Sequence, residues 1–273
     1  MPDNIRKRPF ALIFAISLIV YLGSVSINST GQTSTNLAEG RAVKPRSVSL
    51  NGEINRGSVA DAVRQLGSTG ASELVVTSGG GQMDDAISLA KYLNDHKLKL
   101  VINRYCVSAC AHGLFILTEN RYVNSDSIVG FSDNIVVYVI FKRKRGIYID
   151  DAELNNANTI LRAYKTIGVD TKLLWIPFAM MEPRCYSIDA PAKAGVARVR
   201  YKFWVPTEEQ IRNFGVVGPL GNWPRSNESV GSGFEALARD NPSLLKSHLA
   251  FGGDILPNAA RLDSLSSCAA DDR

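Results

Sequence analysis

The sequence is poor in the residues from which metal sites and imidazole chemistry are built. It has three histidines and four cysteines among 273 residues. Cys106 and Cys110 have His112 close by, but no second group of ligands accompanies them and the surrounding stretch is apolar. A metal site needs more ligands than this, so we expect neither a metal nor another cofactor. No internal repeat is present.

The length allows one well-cored α/β domain with appendages, and two full-size domains would be a tight fit. Hydrophobic residues make up 45% of the chain and charged residues 21%. This balance lets the chain bury enough apolar surface to offset its conformational entropy, so we expect an ordered core.

The N-terminus has the features of an export signal. Residues Phe10 to Ile27 carry no charge, and Arg6, Lys7 and Arg8 precede them. Such a stretch can just cross a bilayer, and its basic flank holds the N-terminus in the cytoplasm. We therefore expect residues 1–27 to be a single-pass signal anchor with the body periplasmic. A cleaved signal peptide, with Ser24 and Ser26 as small residues for cleavage, is the alternative.

A second basic group, Lys142 to Arg145, contributes to the net charge of +5. It follows the strand-like run Ile135 to Phe141, which predicts a solvated hairpin tip. Contact with anionic lipid headgroups is the alternative for a membrane-tethered protein. Nucleic-acid binding is not expected outside the cytoplasm.

The four cysteines, at positions 106, 110, 185 and 268, would lie in an oxidising compartment if the chain is exported. Their even number permits two disulfides. The spacing does not decide which cysteines pair.

Three regions follow the anchor. Residues 28–46 are rich in Ser, Thr, Asn and Gly, which predicts a tether. Residues 47–217 are predicted to form the folded domain, and residues 218–273 a loosely structured tail with at most a short helix. Within the domain, short apolar runs alternate with helical periodicity, which favours a mostly parallel sheet with helices on its faces. The predicted elements are strands Val48–Ile54, Leu74–Thr77, Leu98–Ile102 and Val196–Val205, and helices Ser58–Leu66, Ser108–Thr118, Asp150–Gly168 and Asp170–Met181.

Glycines at a strand end and a serine that opens a helix form the layout needed to hold an oxyanion. Gly79, Gly80 and Gly81 follow the second strand, and Ser108 follows the third. Backbone N–H groups at such turns point into one space, and the helix dipole there favours negative charge. A nucleophile at that helix start lies beside these donors.

Several segments resemble the Clp protease proteolytic subunit family of the crotonase-like superfamily. The run Val76 to Gly81, followed by Ala86 and Ile87, is similar to its Ser-Pro-Gly-Gly loop and helix. Cys106-Val107-Ser108-Ala109-Cys110 resembles the Cys-x-Ser-Ala-Cys segment of exported relatives. The segment from Arg121 to Phe131 is similar to the strand pair that follows the nucleophile in those relatives. Phe203 to Glu209, together with Phe214-Gly215, resembles their closing helix. The resemblance covers about residues 47 to 217 and implies a crotonase-like spiral of ββα units.

The resemblance also implies the roles of individual residues. Ser108 would be the nucleophile, and the amides of Gly80 or Gly81 and of Ala109 would form the oxyanion hole. The family's general base is a histidine at the end of a strand, where this chain has Ser132. A hydroxyl cannot accept a proton at neutral pH as imidazole does, so the ordinary mechanism lacks its base.

Other bases are conceivable. His112 lies four residues after Ser108, so on a helix the two would share a face. His96 lies at a predicted helix end and His248 in the tail, where we expect no catalytic role. Lys91 and Lys99 occupy ordinary amphipathic positions.

Two functions therefore remain open. One is an exported serine hydrolase of weak or unusual activity through Ser108. The other is a non-catalytic binding or assembly module for a peptide or protein ligand, with a homo-oligomer allowed. An acyl-thioester enzyme is disfavoured because export separates the chain from coenzyme A.

The first prediction concerns topology. A reporter enzyme that is active only outside the cytoplasm, fused after Arg46, should be active, because the positive residues precede the apolar segment. A reporter that works only in the cytoplasm should be silent at the same position, and its activity would contradict the predicted orientation.

Overall fold

The computed structural model describes residues 46–189, 194–244 and 248–268. The predicted anchor and nearly all of the predicted tether lie outside this part. Within the described ranges, no helix is both long and apolar enough to cross a bilayer.

A parallel five-stranded sheet organises the domain. Its strands are β1 (Ser47–Asn51), β2 (Glu73–Ser78), β3 (Lys99–Val107), β4 (Arg121–Val123) and β5 (Ile128–Gly130). The order is β1-β2-β3-β4, and β5 pairs with β3 beyond β4. Two helices, α1 (Arg56–Thr69) and α2 (Met83–Asp95), connect the first three strands, so the predicted alternation of strands and helices and the mostly parallel sheet are confirmed.

Local sequence explains both connecting helices. At the start of helix α1 (Arg56–Thr69), the Asn55 side chain accepts a hydrogen bond from the Ser58 amide at 3.0 Å, and the Ser58 hydroxyl accepts one from the Asn55 amide at 3.0 Å. Gly70, with a φ of 60°, ends the helix. Such a reciprocal cap satisfies two amides that have no partner inside the helix. Helix α2 (Met83–Asp95) buries Ala86, Leu89, Ala90 and Leu93.

Strand β3 is longer than predicted because it changes partners along its length. Its first half pairs with β4, from Leu100 opposite Arg121, and its last residues pair with β5, with Val107 opposite Gly130. The pairing with β2 shifts in register after Val76. Arg104, within the shifted segment, has a φ of +71°. This bulge carries β3 on to the turn at Ser108.

The predicted hairpin tip at residues 142–145 is wrong. Residues Ile135–Lys144 form helix α3, which the Asn134 side chain caps at the Val136 amide. Two of its cations form ion pairs: Lys142 bonds Glu153 at 2.6 Å and Lys144 bonds Asp263 at 2.6 Å. The β-branched run resembles a strand by composition, but burial of most of the helix against its neighbours overrides that preference.

The predicted helix Asp170–Met181 is divided in two. A 3₁₀ turn, Thr171–Leu174, is followed by the short helix α5 (Ile176–Met180), which has a proline in its first turn. Proline removes an amide donor, so it fits a new helix start better than a helix interior. Helix α4 (Asp151–Thr166) lies close to its predicted bounds. The remaining elements before the C-terminal region are β6 (Pro183–Asp189), β7 (Ala194–Val199), β8 (Phe203–Val205) and α6 (Glu208–Asn213).

The C-terminal region contains more regular structure than its composition suggests. It forms α7 (Asn227–Asp240), β9 (Leu249–Phe251) and α8 (Ile255–Arg261). Val230, Phe234 and Leu237 lie one helical turn apart and are buried with Ile128 of β5. A Cys185–Cys268 disulfide joins the end of the described chain to β6.

Two helical glycines provide a matched test of this packing. A Cβ added to Gly233 in α7 would lie 2.6 Å from Ile128 Cγ2, whereas Gly67 in α1 has no atom within 4 Å of that position. Gly67→Ala should stabilise the protein by about 0.5–1 kcal/mol, because alanine favours a helix. Gly233→Ala should destabilise it by about 1–3 kcal/mol through overpacking. Denaturant unfolding measures both, and similar stabilisation by the two variants would contradict the seating of α7.

Candidate active site

Ser108 occupies a tight turn at the carboxyl end of β3. Its φ is +57°, and its side chain is half-buried. Its amide donates to the carbonyl of Gly130 at 3.0 Å, and its own carbonyl accepts from the His112 amide at 2.9 Å. A left-handed backbone is costly for a residue with a Cβ, so the surrounding structure must hold it.

A disulfide closes a small ring around Ser108. Cys106 at the end of β3 bonds Cys110, with the two Cα atoms 5.3 Å apart. Cys110 begins a short π-helical segment, Cys110–Phe115, in which every residue is buried. The ring fixes the strand on one side of Ser108 to the helix on the other. All four cysteines of the sequence are thus paired.

The glycine loop after β2 lies directly against this turn. Gly80 has a φ of +109°, and a Cβ placed on it would lie 2.9 Å from the Ser108 Cβ and 3.2 Å from the Ala109 nitrogen. Gly81 has a φ of +135°, and its Cβ would lie 2.1 Å from the Ile54 carbonyl oxygen. The backbone approach requires glycine at both positions. The structure therefore brings together the predicted residues Gly80, Gly81, Ser108 and Ala109.

The loop amides are not equally available. The Gly80 amide donates to the Ser78 hydroxyl at 3.1 Å. The Ala109 amide lies at the start of the helical segment, where backbone N–H groups have no partner within the helix. An oxyanion donor at Ala109 is therefore ready for use, whereas the Gly80 amide would have to be shared with Ser78.

Ser132 lies next to the turn but carries no base. The Ser108 amide bonds Gly130, two residues before Ser132, and Phe131 exchanges two 2.8 Å backbone hydrogen bonds with Trp204. The Ser132 hydroxyl donates to the Asp133 carbonyl at 3.1 Å, and the residue is 6% exposed. The end of β5, where the base was predicted, thus lies beside Ser108. The residue there, Ser132, has a hydroxyl that already donates to the Asp133 carbonyl.

His112 has a buried environment in which its ring contacts groups other than Ser108. Its Nε2 lies 2.9 Å from the Ser132 carbonyl oxygen, and its Nδ1 lies 3.3 Å from the Tyr164 hydroxyl. The Tyr164 hydroxyl also donates to the His112 carbonyl at 3.1 Å. Burial lowers the pKa of His112 to about 4, although the hydrogen bond to Ser132 opposes the shift. Because the carbonyl of Ser132 is only an acceptor, a neutral imidazole must carry its proton on Nε2.

The other candidate general bases contact residues far from Ser108. Lys91 bonds Asp95 at 2.5 Å on α2, and Lys99 bonds Glu73 at 3.2 Å at the amino end of β3. The His96 ring stacks on Tyr92 with 4.1 Å between ring centroids. None of these contacts places a base at the carboxyl end of the sheet.

A cleft of about 630 Å³ opens beside the glycine loop. Arg104 and Tyr105, which follow from the bulge in β3, face it together with Asp240 from the end of α7. The Tyr105 hydroxyl donates to Asp240 at 2.6 Å, and Arg104 lies 3.1 Å from the same carboxylate. Burial and the carboxylate raise the pKa of Tyr105 to about 12. No local signal in the sequence indicates these residues, because the network joins positions far apart in the chain.

Within the described residues, no group of three His, Cys, Asp or Glu side chains is arranged to hold a metal ion.

Comparisons with known proteins give little further information. No family model matches the chain, and no curated protein matches it significantly. Among solved structures, the ClpP protease catalytic domain from Plasmodium falciparum is similar over 66% of this chain and 88% of that chain, with 10% identity and a TM-score of 0.38. A likeness of this strength supports no argument about function.

The glycine loop offers a second matched test. Gly80→Ala and Gly81→Val should each destabilise the protein by about 1–3 kcal/mol, because both place a Cβ on a left-handed backbone against other atoms. Gly79 has no atom within 4 Å of its Cβ position, so Gly79→Ala should change stability by less than about 0.5 kcal/mol. Thermal unfolding of the three variants would show whether the loop packs as described. Unchanged stability in both Gly80→Ala and Gly81→Val would contradict the placement.

Burial of neutral His112 predicts a pH dependence of stability. Its folded pKa of about 4 is below the usual histidine value of 6.5, so the unfolded chain binds more protons between these values. The free energy of unfolding should therefore fall as pH drops from about 6.5 to about 4, with a contribution of up to about 3 kcal/mol from this residue. His112→Gln should remove that part of the slope, whereas His96→Gln should keep it. A slope that is unchanged in His112→Gln would contradict the buried neutral form.

Proposed function

We propose that this chain is an exported serine-peptidase-like protein with the crotonase-like spiral fold, in which Ser108 is a nucleophile of severely reduced reactivity. The observation that supports it best is the backbone of Ser108. A serine held at a φ of +57° at a strand-to-helix turn, directly against a glycine loop, has the backbone geometry of a nucleophile turn.

The oxyanion part of the mechanism is supported by the start of the helical segment. A tetrahedral intermediate formed on Ser108 would place negative charge near the Ala109 amide, and Gly80 or Gly81 would supply the second donor. Fixed amides stabilise such charge without reorganisation, and losing one donor typically costs about 10²–10³ in rate.

The missing part is the general base. Ser132 presents a hydroxyl, and the His112 ring bonds the Ser132 carbonyl and Tyr164. General-base assistance typically contributes about 10²–10⁴ in rate, so Ser108 should react slowly at neutral pH. The oxyanion donors alone would leave weak activity toward reactive acyl or phosphonyl groups.

A non-catalytic binding module is the second candidate. The cleft beside the glycine loop is open and contains Arg104 and Tyr105. A protein that uses this cleft only to hold a peptide would need neither a base nor a reactive Ser108. Reactivity of Ser108 separates the two functions.

Export is proposed from the N-terminal sequence and is supported by the cysteines. Both disulfides persist only where thiols are not kept reduced, and such bonds are rare in the cytosol. A periplasmic domain held near the membrane by residues 1–27 is consistent with both observations.

Labelling with a fluorophosphonate tests the nucleophile and the missing base together. The wild type should label slowly, Ser108→Ala should not label, and Ser132→His should label about tenfold faster or more, because imidazole beside Ser108 can accept its proton. The gain should disappear in Ser132→His/Ser108→Ala.

Ser132→Asn is the control for the larger side chain, since it adds bulk without a base and should not increase labelling. Labelling that persists in Ser108→Ala would contradict the nucleophile. Rapid labelling of the wild type would contradict the missing base. A folded Ser132→His protein without gain would show that this strand end does not place a base at Ser108.

A further inference from the structure

A basic groove of about 700 Å³ lies along β7 and the segment that follows it. The described residues that line it include no acidic side chain. They are Arg184, Ala197, Arg198, Val199, Arg200, Tyr201, Lys202 and His248.

Pairing of β6 with β7 gathers these charges. Arg198 lies in β7, and the chain bends after Val199 so that Arg200 and Lys202 line the same groove. Cys185 lies opposite Arg198, which brings the neighbouring Arg184 to the same part of the hairpin. The Lys202 amide donates to the His248 carbonyl at 2.5 Å, so His248, which directly precedes β9, also lines the groove.

Internal partners neutralise only part of this charge. Arg200 bonds Glu182 at 3.1 Å and lies over the Tyr201 ring. Arg198 and His248 are also engaged within the protein. Burial raises the pKa of Asp133 and the charge of nearby Lys202 opposes that shift, but the side chains of Arg184 and Lys202 are exposed. In the 142–145 region, in contrast, Lys142 bonds Glu153 and Lys144 bonds Asp263. The groove is therefore the better site for an external anion.

The groove lies beyond the carboxyl end of the parallel sheet, where Ser108 also lies. Phe131 directly follows β5 and pairs with Trp204, two residues after Lys202.

We propose that this groove binds an acidic polypeptide segment. Arginine forms paired hydrogen bonds with carboxylates, and a peptide with spaced acidic side chains matches a groove lined by several cations. This inference rests on the proposed function, because it assigns the class of polypeptide that is presented to Ser108. The attraction is electrostatic and therefore weakens with salt.

Fluorescence anisotropy of a labelled peptide of alternating Glu and Ser tests the groove. The full chain is held in discs of phosphatidylcholine, and a Gln–Ser peptide is the uncharged control. Arg184→Glu/Lys202→Glu should weaken binding about tenfold or more, because it replaces attraction by repulsion. Arg143→Glu/Lys165→Glu makes the same change in net charge on exposed residues elsewhere and should change binding less than about twofold.

Equal weakening by the two double variants would overturn the proposal in favour of a net-charge effect. Equal binding of the Gln–Ser peptide would overturn it as well. Loss of peptide binding when the discs contain phosphatidylglycerol would show that lipid occupies the groove, which also overturns it. Thermal unfolding of both double variants confirms that they are folded.

Ser108→Ala separates this inference from the proposed function. It should bind the Glu–Ser peptide as the wild type does, since Ser108 is not among the residues that line the groove. Peptide binding without fluorophosphonate labelling of the wild type would support the groove and contradict the nucleophile. Labelling without peptide binding would support the nucleophile and overturn the groove.

Discussion

The long strand β3 is the element on which the rest of the structure depends. It pairs with β2 on one side and with β4 and then β5 on the other. Its bulge shifts the register so that the carboxyl end meets both the glycine loop and Gly130. Parallel strands bring their carboxyl ends to one edge of a sheet, and ligand sites form there for that reason. Ser108, the cleft and the basic groove all lie at this edge.

The main sheet and its helices could be predicted because the responsible signals are local. Apolar runs of strand length, a capping Asn55 and the glycines at positions 79–81 specify the first βα units without reference to distant residues. Helix α3 could not be predicted in this way. Its run of β-branched residues favours a strand, and only packing against distant elements makes it a helix.

The site was predictable to the same extent. Ser108 and the glycine loop follow neighbouring parallel strands, so their approach follows from the order of the elements. The contacts of His112 do not, because they depend on Tyr164, which lies 52 residues away in the sequence, and on the carbonyl of Ser132. Helical spacing predicts that His112 and Ser108 lie on the same face, but it does not determine the orientation of the His112 ring. The groove likewise depends on hairpin pairing.

Among the described residues, Ser108 is one of five non-glycine residues with a positive φ. A left-handed backbone costs a residue with a Cβ about 1–3 kcal/mol, and glycine would adopt it without that cost. The neighbouring positions Gly80 and Gly81 show that this chain uses glycine where backbones must approach. The Cys106–Cys110 ring holds Ser108 in the costly conformation. Lys97, Arg104, Asp126 and Glu182 share this backbone, so what distinguishes Ser108 is the glycine loop packed against its Cβ. The proposal of a nucleophile rests on that combination.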